Sequence, residues 1–300
     1  MSGATGFIGK KLTEELLKAG HSLVILSRHE TPSVSAGVRT RVWDAQTLGS
    51  WAAEIDGADA VINLAGEPIA AKRWTAAQKK KIIESRIHST RVIAQAIQKA
   101  AIKPKVWVNA SAVGYYGPVE SGDVNESSRQ GVGFLAKTCG DWENETLPAQ
   151  SITRVVLLRI GVVLERGGGA LSKMEFPFKI FAGGPLGSGR QWMPWIHRDD
   201  LIGLILFALQ NEKISGPFNA TAPESVIMAE FCKTLGRALH RPSWAPVPAF
   251  VLKMILGEMA EMLLTGQKAL PSKALQAGYR FRYPDLSSAL RSIYPIEGVP

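Results

Sequence analysis

The chain has 300 residues, 46% hydrophobic and 20% charged, a globular composition with length for one large domain or a domain plus a smaller lobe. No apolar run reaches the roughly 18 residues that a membrane span needs, and no charged start followed by an apolar run suggests a secretion signal. The two cysteines, Cys139 and Cys232, exclude a disulfide framework or a cysteine-based zinc site and make a reducing cytoplasm the default. The formal charge of +9 comes from scattered residues whose densest run, Lys79-Lys80-Lys81, falls in a helical stretch. That reads as a solvated face rather than a nucleic-acid surface, and a basic surface also draws anionic cofactors and substrates.

The chain opens on Gly3-Ala4-Thr5-Gly6-Phe7-Ile8-Gly9, which runs into a predicted helix from Phe7 to Lys18. Glycines let the backbone approach a pyrophosphate, and a helix N-terminus offers unpaired N–H groups and a partial positive charge. Gly3, Thr5, Gly6, Phe7 and Ile8 are therefore candidate cofactor contacts. The competing reading, a glycine-rich turn that binds nothing, is weakened by the helix and the strand that follow. Such a loop ordinarily follows the central strand of a sheet, yet only Met1 and Ser2 precede it here. That strand is expected to be absent or a stub, with a natural start upstream. Two or three central side chains would each contribute roughly 1.5–3 kcal/mol of burial, against a typical total margin of about 5–15 kcal/mol.

The runs Leu23 to Leu26, Ala60 to Leu64, Val106 to Ala110 and Val155 to Leu158 read as strands, with a shorter one through Thr40 to Trp43. Helices are predicted from Thr75 to Ala100 and from about Phe134 to Leu147. Strands apolar on both faces and alternating with helices belong in a parallel sheet covered on both sides. The predicted fold is α/β, a Rossmann-type doubly wound parallel sheet. At the end of the second strand stands Ser27-Arg28, where an NAD-specific chain places Asp or Glu about 20 residues past the loop. Neither residue is a carboxylate. An arginine beside a hydroxyl suits a 2′-phosphate, because its fork matches phosphate oxygens and stays charged; the alternative is a surface arginine. NADP is the cofactor this predicts.

After Arg159 the character changes. Gly167-Gly168-Gly169 and the loop from Gly183 to Gly189 read as flexible, and Arg190 is a candidate anchor for an anionic substrate, with a surface arginine as the alternative. A helix from about Asp200 to Leu209 follows Trp195-Ile196-His197-Arg198-Asp199-Asp200. His197 with the two aspartates is readable as a metal cluster, but better as a helix N-terminus capped by a carboxylate, and no metal site is predicted. The stretch Val247 to Leu264 reads as an amphipathic helix with a buried face. The boundary between the nucleotide domain (1–165) and a smaller C-terminal substrate region (166–300) is soft, because the chain is expected to re-enter the sheet around 195–220.

In order, the glycine loop, Asn63-Leu64-Ala65-Gly66, Ser111-Ala112-Val113-Gly114-Tyr115-Tyr116-Gly117, Leu158-Arg159-Ile160-Gly161 and Trp195 to Asp200 resemble the extended short-chain dehydrogenases/reductases, the nucleotide-sugar-epimerase-like branch. Gly66-Glu67-Pro68-Ile69 with Arg73-Trp74, the Gly183 to Arg190 loop and Gly266 to Pro271 resemble, more closely, an atypical subfamily of epimerase-family proteins of unknown substrate. The resemblance implies that Leu64, Ala65 and Gly66 line the cofactor, that Arg86 faces it, and that Asp44 meets the adenine unless it is a turn residue. It also implies a Ser/Thr with a Tyr-x-x-x-Lys pair, in which the tyrosine moves a proton while the lysine holds the nicotinamide ribose and lowers the tyrosine pKa.

Here the pattern breaks. Lys137 is the best lysine, as ribose ligand or as surface residue, but Gly133 stands four positions before it and Phe134 has no hydroxyl. Ser111, Tyr115 and Tyr116 are the candidates to handle a substrate oxygen, or else they are packing residues. The leading reading is an NADP-dependent oxidoreductase or epimerase-like enzyme acting on a small, anionic-leaning substrate. The alternative is a catalytically idle NADP-binding sensor or partner-binding module. Neither nucleic acid nor membrane is expected as a partner, and the sequence carries no signal for oligomeric state.

Overall fold

The computed structural model describes residues 1–30 and 37–295. Its elements run α1 (Phe7–Lys18), β1 (Leu23–Ser27), β2 (Val38–Val42), β3 (Ala60–Asn63), α2 (Ala76–Lys99), β4 (Val106–Ala112), β5 (Asp123–Val124), α3 (Phe134–Asn144), β6 (Arg154–Ile160), β7 (Val162–Leu164), α4 (Gly169–Lys179), β8 (Trp192–Met193), β9 (Trp195–His197), α5 (Arg198–Gln210), β10 (Gly216–Ala220), β11 (Val226–Ile227), α6 (Met228–Ala238), α7 (Ala249–Leu256), α8 (Glu261–Leu264), β12 (Lys268–Ala269), α9 (Ser272–Gln276) and α10 (Leu286–Ile293). β2 and β1 pair in parallel, as do β3, β4, β6 and β10. Ser2 joins the two groups, bridging Leu26 on one side and Asn63 on the other. The order is therefore β2-β1-(Met1–Ser2)-β3-β4-β6-β10, and the expected central strand is a two-residue stub.

Alternation along the strands sends side chains to two cores. Val106, Val108, Val156, Leu158 and Phe218 meet Leu12 and Leu16 of α1 and Leu201, Leu204 and Ile205 of α5. Trp107, Val155 and Leu157 meet Val92, Ile93, Ala96 and Ile97 of α2. Helices on both faces make the sheet doubly wound, and its continuous apolar strands are what two buried faces require. Beyond β6 the chain forms a third core, in which Phe178, Trp195, Phe231, Leu235 and Leu290 are buried, before and after it returns to the main sheet as β10.

Two expectations change. The stretch 247–264 is not one helix: it breaks at Gly257 into α7, a 3₁₀ turn and α8. Nor does α7 bury a full face. Only Leu252 is buried, while Phe250 and Met254 are 70% and 69% exposed, because a helix that is apolar nearly all round can turn only one stripe inward. At α5 the cap is not a carboxylate. His197 Nδ1 accepts from the Asp199 N–H at 3.1 Å, and buried Asp200 instead accepts from the N–H groups of Arg282 and Tyr283 at 2.7 and 2.8 Å. Asp200 thereby ties residues 282–283 to α5, which packs on the main sheet. Among the described residues no helix is long and apolar enough to cross a membrane.

Candidate functional site

The C-terminal ends of β1, β3 and β4 lie side by side, and the glycine loop crosses them. Gly3 adopts φ +71°, and a Cβ there would lie 2.6 Å from the Leu64 carbonyl carbon and 3.0 Å from the Ala65 nitrogen. Only glycine lets the loop sit this close to the end of β3. Gly6, the N-cap of α1, has no side chain to bond the first-turn N–H groups, so their donors face outward, where Thr5 and Gly6 are exposed. A groove of about 510 Å³ beside them is lined by Thr5, Gly6, Phe7, Lys10, Arg166 and Arg198, among others. Uncapped donors under a basic groove fit a pyrophosphate.

The floor is held by a polar chain that sequence reasoning missed. Ser2 Oγ donates to Asn63 Oδ1 at 2.6 Å, and Asn63 Nδ2 donates to Asn109 Oδ1 at 2.7 Å and Thr90 Oγ1 at 3.1 Å. Trp142 Nε1 completes it, donating to Thr90 Oγ1 at 2.8 Å. All these groups are buried, so their mutual satisfaction fixes the spacing of the Met1–Ser2 stub, β3, β4, α2 and α3. Asparagines inside apolar strands were the available signal.

At the β1 end, Ser27 Oγ accepts from the His29 N–H at 3.3 Å. Arg28 is exposed and makes no ion pair among the described residues. Asp44 is committed to a turn: its carboxylate accepts from the N–H groups of Gln46 and Thr47, both at 2.8 Å, and from Thr47 Oγ1 at 2.6 Å. The Thr47 hydroxyl, then these N–H groups, hold its pKa below the usual carboxylate range. Of the two readings offered for Asp44, the turn residue is the one its contacts describe.

The hydroxyls expected near the nicotinamide divide. Ser111 Oγ donates to Glu143 Oε1 at 2.6 Å. Arg159 grips the same carboxylate with Nε and Nη2, both at 2.8 Å, and its Nη1 donates to the Tyr116 hydroxyl at 3.1 Å. That hydroxyl donates to Asn219 Oδ1 at 2.7 Å. Ser111, Tyr116, Glu143, Arg159 and Asn219 are all buried. Burial alone would lower the Arg159 pKa, but the hydrogen bond and charge of Glu143 outweigh it and raise it; burial raises that of Tyr116. Ser111 and Tyr116, read as candidates to handle a substrate oxygen or else as packing residues, are both turned into a satisfied core network. Tyr115 differs. It is half-buried, Arg159 stacks on its ring at 3.5 Å, and its hydroxyl bonds no described residue.

Lys137 is corrected. It is on the outer face of α3, its side chain 77% exposed, paired with Asp141 at 2.8 Å, and it lines a depression with Ile83, Val132 and Phe134. Gly133, at the head of α3, has φ +101° and ψ 175°, a conformation essentially restricted to glycine. Arg86 is half-buried against Gly66, where a Cβ would lie 3.3 Å from its guanidinium carbon. Leu64 and Ala65, expected to line the cofactor, have their backbone against Gly3 of the glycine loop. Arg190 is exposed on its loop, its N–H donating to Ser188 Oγ at 3.2 Å.

Comparison with known proteins matches this arrangement. The signature of the NAD dependent epimerase/dehydratase family covers residues 1–220, and a domain of unknown function (DUF1731) covers 247–293. The crystal structure of human epimerase family protein SDR39U1 (isoform 2) with NADPH superposes with a TM-score of 0.89 at 40% identity, over 98% of this chain and 97% of that one. The chain is 43% identical to epimerase family protein YfhF of Bacillus subtilis over 98% of its own length and 96% of that protein's. It is 44% identical to the chloroplastic SDR39U1 homolog of Arabidopsis thaliana, over 98% and 85%. With the loop, the strand order and the C-terminal region all in place, the chain belongs to the NAD dependent epimerase/dehydratase family.

Proposed function

We propose that this protein binds NADP(H) along the C-terminal edge of its sheet and uses it to oxidise or reduce a small carbonyl or hydroxyl compound. The observation that carries the reading is Arg28, exposed just past β1 and without an ion pair among the described residues, with an uncapped α1 nearby and no carboxylate at position 27 or 28. The human relative crystallised with NADPH supports it. The bound dinucleotide would supply the hydride. The first-turn N–H groups of α1 hold its pyrophosphate, and Arg28 pairs with its 2′-phosphate. Tyr115, whose hydroxyl bonds no described residue, exchanges the proton at the substrate oxygen while Arg159 fixes its ring. Arg190, exposed on its loop, is the candidate to meet an anionic group on the substrate.

An Arg–phosphate pair contributes roughly 1.5–3 kcal/mol, about tenfold to a hundredfold in affinity. Calorimetry should therefore show Arg28→Ala weakening NADPH by that factor and leaving NADH nearly unchanged; equal losses remove Arg28 from the phosphate site. In a screen that follows NADPH absorbance, Tyr115→Phe should lower turnover by about 10²–10⁴-fold with NADPH affinity retained. The inward commitment of Ser111 and Tyr116 favours a second reading, an idle NADP(H)-binding sensor, which tight NADPH binding without turnover of any compound selects.

A further inference from the structure

We infer that the face formed by α4, α7 and the segment around Trp244 docks on an anionic phospholipid bilayer, its apolar tips entering the interface and its cations meeting the headgroups. Sequence reading expected no membrane partner, because the side chains involved come from segments far apart in the chain and meet only in the fold. On α4, Phe176 is 64% exposed and Ile180 is exposed one turn further on. Residues four apart share a helix side. On α7 the exposed Phe250 and Met254 repeat that spacing. Trp244 is 68% exposed, and Phe181, past the end of α4, is exposed as well. Large apolar side chains gathered at a surface in this way mark an interaction site rather than ordinary scatter.

Hydrogen bonds hold these segments together. Trp244 Nε1 donates to the Phe181 carbonyl at 2.9 Å, and the N–H groups of Trp244 and Ala245 donate to the Gly183 carbonyl at 3.0 and 3.1 Å. The Val247 N–H donates to the Pro185 carbonyl at 2.9 Å, just before Pro248, the N-cap of α7. At the other end, Lys173 of α4 donates to the Ala70 carbonyl, and Arg73 Nη2 donates to the Met254 carbonyl at 2.9 Å. The end of α4 is thus tied to the start of α7, while the start of α4 and the end of α7 both reach residues 70–73. The two helices run in opposite senses along one face. α7 lies within 247–293, the domain of unknown function, so docking gives one part of that domain a task.

Charge selects the occupant. Over residues 69–73, 173–187 and 240–257 the cations are Lys72, Arg73, Lys173, Lys179, Arg241 and Lys253, and the carboxylate is Glu175. Glu175 is buried, accepts from the Tyr294 hydroxyl and pairs with Lys179 at 2.7 Å. Glu258, just past α7, is paired with Lys79. The face is therefore apolar with a basic surround. A second copy fits it poorly, because a two-fold contact would set the same cations against each other. A protein partner would call for about one hydrogen bond per 100–200 Å², yet Phe176, Ile180 and Phe250 carry no polar group and the Trp244 N–H is already bonded. A bilayer asks for none from the tips. Aromatic rings enter the acyl boundary while lysine stems carry their ammonium groups to the phosphates, and an anionic leaflet attracts cations within a Debye length.

Sedimentation of the full chain with vesicles tests this, using phosphatidylcholine alone and equimolar phosphatidylcholine and phosphatidylglycerol. Binding should favour the anionic vesicles by at least about tenfold and weaken as salt rises. Phe250→Ser should weaken it by about tenfold through lost apolar burial, and Lys253→Glu by a similar factor. Both side chains are exposed, so urea midpoints should stay at the wild-type value. Lys105, 81% exposed at the start of β4 on the far edge of the sheet, supplies the control: Lys105→Glu makes the same change in net charge and should leave binding nearly unchanged. Equal losses from Lys253→Glu and Lys105→Glu, or no loss from Phe250→Ser, reduce the effect to net charge and overturn the inference. Wild-type protein that sediments with neither vesicle overturns it as well, and a dimer in analytical ultracentrifugation that Phe250→Ser dissociates would then assign the face to a second copy. Cofactor binding plays no part in the readout, so the outcome leaves the NADP(H) reading untouched.

Discussion

Replacing Glu143 with alanine tests how the candidate site is held. The carboxylate accepts from Ser111 Oγ, Arg159 Nε and Arg159 Nη2 at 2.6, 2.8 and 2.8 Å, and its partner Arg159 is only 2% exposed. Removing the acceptor strands a buried guanidinium with the Tyr116 hydroxyl and the Tyr115 ring as its remaining company. Breaking one side of a buried pair costs about 3–5 kcal/mol. At about 2–4 °C per kcal/mol for large domains, that lowers Tm by roughly 6–20 °C. Urea denaturation measures the free energy directly, and the double variant Glu143→Leu/Arg159→Met, which removes both charges, should recover most of it because no orphan charge remains. A loss below about 1 kcal/mol for Glu143→Ala would refute the argument, since it would mean that water or another group replaces the carboxylate at little cost.

Two further outcomes follow from local geometry. Gly3→Ala should destabilise by at least about 1–3 kcal/mol, the order of cost for a strained backbone, with added cost from a Cβ 2.6 Å from the Leu64 carbonyl, and it should weaken NADPH; urea denaturation and calorimetry check both. His197, whose pKa is lowered mainly by burial, protonates in the unfolded chain before it does in the folded one. Stability from this group is therefore present above about pH 6.5 and is lost as pH falls towards the lower folded value. His197→Asn, which keeps a side-chain acceptor for the Asp199 N–H, should flatten that part of the stability–pH curve, and an unchanged curve would show that carboxylates carry it.

The sheet was readable because β4 and β6 are apolar on both faces and because Gly3, Gly6 and Gly9 announce a strand–helix turn. The exposed place of Arg28 just past β1 was readable because a strand end is local in sequence. The core network was not. Arg159 reads as one more basic residue in a strand, Glu143 as one more helix carboxylate, and nothing in their separation says that they meet over Ser111. Tyr115 and Tyr116 are adjacent in sequence yet opposite in fate, because a 3₁₀ turn over Val113–Tyr116 sends one ring to Asn219 and leaves the other under Arg159 at the edge. Asp200 was misassigned for a related reason. A carboxylate at a helix start is usually a cap, and only tertiary packing shows that residues 282–283 claim it.

The same limit explains the tyrosine–lysine pattern, and Gly133→Tyr tests the explanation. Counting back four residues from Lys137 reaches Gly133, as though a tyrosine had merely been lost and could be restored. Two facts of geometry oppose that. At φ +101° and ψ 175° the backbone suits glycine, and any side chain there costs on the order of 1–3 kcal/mol. The nearest atom to a Cβ at this position is Glu261 Oε1 at 3.9 Å, so the loss is conformational rather than steric, and Gly133→Ala should cost about as much as Gly133→Tyr. The residue is also on the line of Lys137, about 200° around α3 from the line that meets Ser111 and Gly114, so the new hydroxyl gains no access to the sheet edge. Urea denaturation should find both variants destabilised alike, and the NADPH absorbance assay should find no activity gained by the tyrosine. A Gly133→Tyr protein as stable as wild type, or one that turns over a compound the wild type does not, would place position 133 on the catalytic face and reverse the assignment of the two faces of α3.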